Sequence, residues 1–305
     1  MLRYFGLAAL SLVATAASAQ QSSRNRDDEQ DYQGRVDTSF AFDKRGTVTL
    51  SVGSGEIIVR TWDQASIRVR ARSERSSIRM DASSTRLSLD LTRQRGGDTR
   101  YELTVPAGAR ISARATSGDI TITGAKGGVE AHTQNGDIVI EDVADMVDIG
   151  TLNGDIQVRG VNGSVDISTV GGDVSLSDIK GDVESTSVSG DIDLRGVSAK
   201  YVRAKSTSGD ISFDGVVDTS GRYELGSHSG GVYLTIPQNT GALLTVSTYS
   251  GTIDSDFPIT LKPGEHGIGT TKRFTFEIGK GDARISAESF SGDITIRIKG
   301  RKSTD

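Results

Sequence analysis

From Thr116 to Gly196 the chain can be written in nines: TSGDITITG (116–124), AKGGVEAHT (125–133), QNGDIVIED (134–142), VADMVDIGT (143–151), LNGDIQVRG (152–160), VNGSVDIST (161–169), VGGDVSLSD (170–178), IKGDVESTS (179–187) and VSGDIDLRG (188–196). Glycine stands third in eight of these nine units and an apolar residue stands fifth in all nine. Self-similarity at a fixed period marks a solenoid, in which each repeat buries its apolar face against its neighbours. Alternate units resemble each other more than adjacent ones, so the structural unit is 18 residues: two strands and two turns. The pairs Ile120/Ile122, Ile138/Ile140, Ile156/Val158, Val174/Leu176 and Ile192/Leu194 follow the period of two that buries one strand face. A triangular left-handed helix also has about 18 residues per coil, but stepping by six from Ile120 meets Lys126 and His132 before Ile138, two of them wrong for a core. The expected fold is therefore all-β, a parallel β-solenoid with coils stacked about 4.8 Å apart.

The pattern loosens on both sides. Strands are expected near Thr47–Val52, Glu56–Trp62, Ile67–Ala71, Ile78–Ala82, Leu87–Leu91 and Tyr101–Val105, and the Ser-Gly turn recurs at wider spacing at Ser208, Ser229, Ser250 and Ser291. Irregular ends are expected to cap the stack, because open sheet edges pair with other chains. No aromatic residue lies between Tyr101 and Tyr201, so aliphatic residues pack the middle, with Trp62, Phe213, Tyr233, Phe274 and Phe276 expected to fill the ends. At the N-terminus, Arg3, the apolar run Tyr4–Thr15 and Ala17-Ser18-Ala19 have the form of a cleavable secretory signal over 1–19. Residues 20–35 are polar and charged and are expected to form a flexible leader. The solenoid is expected over 36–300 with a short tail at 301–305, without a membrane span once the signal is removed.

These features resemble a known group, the bacterial β-strand-repeat family of exported proteins that bear the name "putative adhesin". The resemblance covers about Val36 to Lys299. It rests on Gly55-Glu-Ile-Ile-Val-Arg-Thr-Trp62-Asp63, Leu103-Thr-Val-Pro106-Ala-Gly108, the Ser/Asn-Gly-Asp-Ile coils and Leu234-Thr-Ile-Pro237. It implies an extended binding surface on an exported protein, and it brings no catalytic residues to carry over.

Composition excludes several function classes. With no cysteine there is no disulfide, no thiolate zinc site and no cysteine nucleophile; the net charge of −5 provides no overall basic field for nucleic acid. Only His132, His228 and His266 are available as imidazoles, and no Gly-x-Ser-x-Gly elbow precedes a helical pattern. The most visible constellation is Asp119, Asp137, Asp155, Asp173 and Asp191, continued at Asp210, each after a turn glycine. Stacked carboxylates repel, so each needs a donor or a cation. Calcium is the cofactor such a ladder would take. The alternative is an aspartate accepting a backbone N–H within its own turn, and the sequence departs from the calcium-binding nonapeptide, in which glycine and aspartate are separated.

Glu141, Asp142, Asp145 and Asp148 gather where one repeat loses its glycine, a break in regularity that marks a site or a solvated loop. Residues 116–235 carry 8 basic and 19 acidic side chains, whereas residues 20–115 carry 17 and 13. There Arg68, Arg70 and Arg72 alternate with Ile67, Val69 and Ala71, giving one positive strand face able to meet phosphate or carboxylate, or simply a solvated face. The expected role is non-enzymatic: an elongated surface, periplasmic, secreted or at the cell surface, for an envelope protein or glycan. The competing readings are a soluble periplasmic partner-binding or envelope-stress factor and a polysaccharide-active solenoid enzyme. The last needs two carboxylates with unequal pKa values, and a ladder of equivalent aspartates singles out neither.

Overall fold

The computed structural model describes residues 28–92, 97–258 and 272–300. The signal sequence expected over 1–19 and the tail at 301–305 lie outside the described residues. Among the described residues all regular structure is β, and no helix is long and apolar enough to cross a membrane. The N-terminal end is built by β1 (Asp28–Ala41), β2 (Thr47–Trp62), β3 (Ser66–Ala82), β4 (Arg86–Thr92) and β5 (Thr99–Pro106). The regular middle follows as β6 (Arg110–Thr123), β7 (Val129–Asn135), β8 (Ile138–Val143), β9 (Val147–Asn153), β10 (Ile156–Val161), β11 (Val165–Gly171), β12 (Val174–Ser177), β13 (Val183–Ser189) and β14 (Ile192–Ser208). The C-terminal end is β15 (Ile211–Ser229), β16 (Val232–Ile236), β17 (Ala242–Ser250), β18 (Ile253–Ser255), β19 (Lys272–Ile278), β20 (Ala283–Ser291) and β21 (Ile294–Ile298).

The middle is a parallel solenoid with the expected register. Ile138 pairs with Ile156, Ile156 with Val174 and Val174 with Ile192 on one side; Val129, Val147, Val165 and Val183 align on the other. The side chains of these two columns are buried from end to end of the middle coils. The second turn is wider than expected: Ala125, Val143, Val161, Ile179 and Val197 form a third buried column, joined by the bridges Asn162–Lys180 and Lys180–Ser198. Asp142 and Asp178, with φ of 55° and 57°, hold the left-handed corner just before this column, one that aspartate tolerates better than most side chains.

At the other corner the glycines serve close approach as well as turning. Gly136, Gly154, Gly172 and Gly190 have φ between 112° and 143°, and a Cβ on Gly154 would lie 2.0 Å from the carbonyl oxygen of Gly136. Buried hydroxyls line the same corner, with Thr133 donating to Gly118 O at 3.1 Å, Ser206 to Gly190 O at 3.3 Å, Ser227 to Gly209 O at 2.8 Å and Ser289 to Gly230 O at 2.9 Å.

The ends do not stack in chain order. β2 runs parallel between the β4/β5 coil and β6, although β3, β4 and β5 follow it in sequence. At the far end the β20/β21 coil lies between β15/β16 and β17/β18. Antiparallel strands then close each end: β3 on β4 and β5, with β1 outside it, and β19 on β17. The C-terminal segment β20/β21, held on both sides, cannot fray without breaking two ladders, whereas β1 and β19 each pair with one strand among the described residues.

Two expectations need correction. The chain is already strand from Asp28, where a flexible leader is expected through Arg35, because antiparallel pairing with β3, starting at Asp28–Ala82, satisfies the polar segment's backbone. Tyr233, expected inside, is 40% exposed because its strand turns Val232 and Leu234 inward instead.

Two buried tyrosines give opposite predictions. The Tyr101 hydroxyl is buried without a hydrogen-bond partner among the described residues, and burial followed by the Asp90 charge pushes the phenol far above its ordinary range. Tyr223 instead donates to Ala199 O at 2.6 Å and accepts from Asp218 N at 2.8 Å. Tyr101→Phe is expected to stabilise by about 1 kcal/mol, and Tyr223→Phe to destabilise by about 1 to 2 kcal/mol, in denaturant titrations.

Candidate functional site

Because coils stack in register, any outward position repeats as a ladder along the solenoid, and three ladders carry chemistry. The first is the glycine-corner column Asp119, Asp137, Asp155, Asp173 and Asp191. Each Oδ1 accepts the backbone N–H of the next aspartate in the series, at 2.9 Å for the first four and 2.7 Å for Asp191 to Asp210. The acceptor role matches the non-metal alternative, but the donor belongs to the following coil, so the carboxylates tie coils together. Among the described residues, no group of three or more His, Asp or Glu side chains is arranged to hold a metal ion.

The acidic cluster of residues 141–148 is dispersed. Asp142 holds its left-handed corner, Asp145 accepts the Met146 N–H at 2.8 Å, and Asp148 points outward from β9. Asp148 belongs to the second ladder, Glu130–Asp148–Asp166–Glu184, paired in register across β7, β9, β11 and β13. Arg114 closes it at Glu130, and Arg203 lies 3.7 Å from Glu184. His132 is half-buried beside it, 3.5 Å from Glu130 and 3.9 Å from Asp148.

In the middle of this ladder the Asp166 carboxyl is held above its ordinary range, first by partial burial and then by Asp148 and Glu184. An acid raised in the folded state opposes folding above that value, and the penalty fades as pH falls through it. Asp166→Asn is thus expected to raise Tm by about 1 to 2 °C at pH 7, the scale of a surface charge change, with the gain disappearing below the aspartate range. A pH series of thermal melts checks both.

The third ladder was not anticipated and is mostly apolar. Between the paired residues of successive coils, Gln134, Leu152, Val170, Val188, Thr207, His228, Phe290 and Tyr249 succeed one another as one outward row. Leu152, Val170, Val188, Phe290 and Tyr249 are 44–49% exposed. The aromatic end is a ring stack, with His228–Phe290 and Phe290–Tyr249 centroids each 4.8 Å apart and planes 11° and 2° from parallel. At one coil spacing per step the row is roughly 34 Å long. Beside it runs a polar row of Asn135, Asn153, Ser189, Ser208, Ser229, Ser291 and Ser250, and Asn153 Nδ2 donates to Asn135 Oδ1 at 3.1 Å. Single exposed apolar residues are ordinary, but here Leu152, Val170 and Val188 adjoin on one side of Thr207 and His228, and Phe290 and Tyr249 on the other, and such a grouping marks an interaction surface.

The arginines lie elsewhere. Arg68, Arg70 and Arg72 all point outward from β3, with Ile67, Val69 and Ala71 fully buried between them. The structure thus brings them onto one face, at the N-terminal end and away from the middle of the apolar row. His228 joins the row, while His266 lies outside the described residues.

The Toastrack DUF4097 family matches this chain over residues 107–214 and 181–297. No curated protein matches it. Among solved structures, a protein described as a putative cell adhesion protein from Clostridium sporogenes is 10% identical, covering 87% of this chain and 100% of its own, with a TM-score of 0.26. A protein described as a putative adhesin from Bacteroides fragilis is 14% identical, covering 87% and 97%, with a TM-score of 0.34. Likeness this loose transfers no role.

Proposed function

Because this chain belongs to the Toastrack DUF4097 family, whose name states no activity, we propose a role from the geometry: an exported, non-enzymatic envelope protein whose coil stack is an extended binding surface for an envelope protein or glycan. The observation that carries this reading is the exposed row from Leu152 to Tyr249. A fold that buries its apolar residues in continuous inward columns leaves this row in solvent, and a strip of six coil steps, about 29 Å long, suits an extended partner. The neighbouring Ser and Asn side chains supply donors and acceptors along it. Binding rather than catalysis fits the turn aspartates, which are equivalent to one another and engaged by backbone N–H groups. The segment 1–19, with its positive start and small-residue Ala-Ser-Ala end, is the export signal in this reading.

Co-sedimentation of the purified protein with isolated cell-envelope fragments tests it. Val170→Ser/Val188→Ser/Phe290→Ser, three outward changes that leave the core intact, is expected to bind at least about tenfold more weakly than the unaltered protein. Prior treatment of the fragments with protease or with polysaccharide hydrolases distinguishes a protein partner from a glycan. Equal sedimentation of variant and unaltered protein overturns the proposal.

A further inference from the structure

At the N-terminal end, three arginines meet in one register row: Arg35 on β1 faces Arg72 on β3, which faces Arg100 on β5. Like charges placed directly opposite across strands are destabilising, and such violations of pairing rules concentrate where function requires them. The nearby acids do not resolve this one. Arg100 is paired with Glu56 and with Glu102, the latter at 2.7 Å, and Arg70 has Asp37 at 3.9 Å. Arg35 and Arg72 have no carboxylate partner among the described residues. Both line a concavity of about 450 Å³ whose other charged walls are Asp37, Arg70, Arg100 and Glu102. The neighbouring groove, about 920 Å³, shares Arg35, Arg72 and Arg100 but is also lined by Glu56, Glu74, Asp98 and Asp119, so the smaller concavity is the one with an excess of positive charge.

The backbone is irregular on both strands where Arg35 and Arg72 meet. The pairing of β1 with β3 shifts between Gln33, which faces Ser77, and Arg35, which faces Arg72, so the extra residues bulge from β3 and Gly34 spans the gap opposite them with φ of 70°. A bulge bends its strand and re-aims the side chain beside it, here Arg72, while Gly34 adopts the left-handed conformation before Arg35 without a Cβ penalty.

We propose that Arg35 and Arg72 form a binding site for a phosphate-type dianion, with Arg70 and Arg100 held beside it by their carboxylates. Two guanidiniums without partners match two negative charges, and their planar forks present paired N–H donors to oxygens. A single carboxylate would leave one of them uncompensated. The site extends the expected arginine face: Arg70 and Arg72 line it, Arg35 and Arg100 join it from other strands, and Arg68 lies outside it. It does not depend on the apolar row.

Titration calorimetry of the purified protein with inorganic phosphate at pH 8 and low salt tests the site, with galacturonate as the carboxylate probe. Saturable phosphate binding is expected, tighter than galacturonate binding and weaker with added salt. Arg35→Gln/Arg72→Gln is expected to lose at least about tenfold in phosphate affinity while melting at the same or a higher temperature, because a repulsion has been removed. Absence of saturable binding, unchanged affinity in the double variant, or a preference for galacturonate overturns the assignment. The Val170→Ser/Val188→Ser/Phe290→Ser variant is expected to keep full phosphate affinity, so failure of this site and failure of the apolar row are read separately.

Discussion

Gly154→Val is expected to be the most damaging single substitution in the regular coils, lowering stability by more than about 4 kcal/mol or preventing folding altogether. Two effects add. Gly154 has φ of 141°, a conformation that a β-branched residue strongly resists. Its missing side chain is also where the Gly136 carbonyl of the previous coil sits, 2.0 Å from a Cβ, with the next-nearest atom again backbone at 2.6 Å. Nothing flexible can move aside, so the coils must separate and break the hydrogen bond from Gly136 N to Asn153 O. Gly226→Val is the control. Gly226 has no positive φ, its nearest neighbour would be 4.0 Å away, and it lies in a strand, so the change is expected to be tolerated. Guanidinium titration of both variants reads the difference.

Removal of residues 283–305 is expected to have the next largest effect, unfolding the C-terminal end while the middle coils remain folded. In a solenoid stacked in chain order, such a truncation would trim an outer coil. Here it withdraws an inner one: Ala283, Ile285, Ala287, Ile294 and Ile296 are buried between β15/β16 and β17/β18. Their loss also uncovers Leu225, Leu234, Leu244 and Val246, each buried in the intact protein. At about 1.5 to 3 kcal/mol for each large buried aliphatic side chain, the loss exceeds what a terminal coil retains. Nearest-neighbour stability in repeat proteins confines the damage to that end. Limited proteolysis is expected to release a core ending near β15, whereas survival of β17 in the truncated protein would contradict the interleaving.

The middle of this fold was legible because one residue in each coil has little freedom. The corner glycine, the inward pair after it and the 18-residue unit are local demands of stacking, and they recur as letters. The third buried column was also written at that spacing, in Ala125, Val143, Val161, Ile179 and Val197, but a nine-residue reading folds it into the turn. The ends were legible as strands and not as an order, because which coil docks on which is decided by distant surfaces that leave no period. For the same reason the apolar row was hidden. Leu152, Val170 and Val188 share a phase, whereas His228, Phe290 and Tyr249 meet only after β20 inserts. Arg68, Arg70 and Arg72 declared their common face by alternation, but Arg35 and Arg100 reach that face from strands that pair across the fold.

Interleaved coils build one continuous outward row, and paired cysteines read that order out because the chain has none of its own. His228→Cys/Phe290→Cys and Phe290→Cys/Tyr249→Cys are each expected to form an intramolecular disulfide under mild oxidation, since these residues are neighbours in the row. His228→Cys/Tyr249→Cys is expected to stay reduced, because the β20 coil separates them by two coil spacings, roughly 10 Å, beyond disulfide reach. The opposite pattern, with the His228/Tyr249 pair closing and both Phe290 pairs remaining open, would show coils stacked in chain order and would break the row on which the proposed function rests.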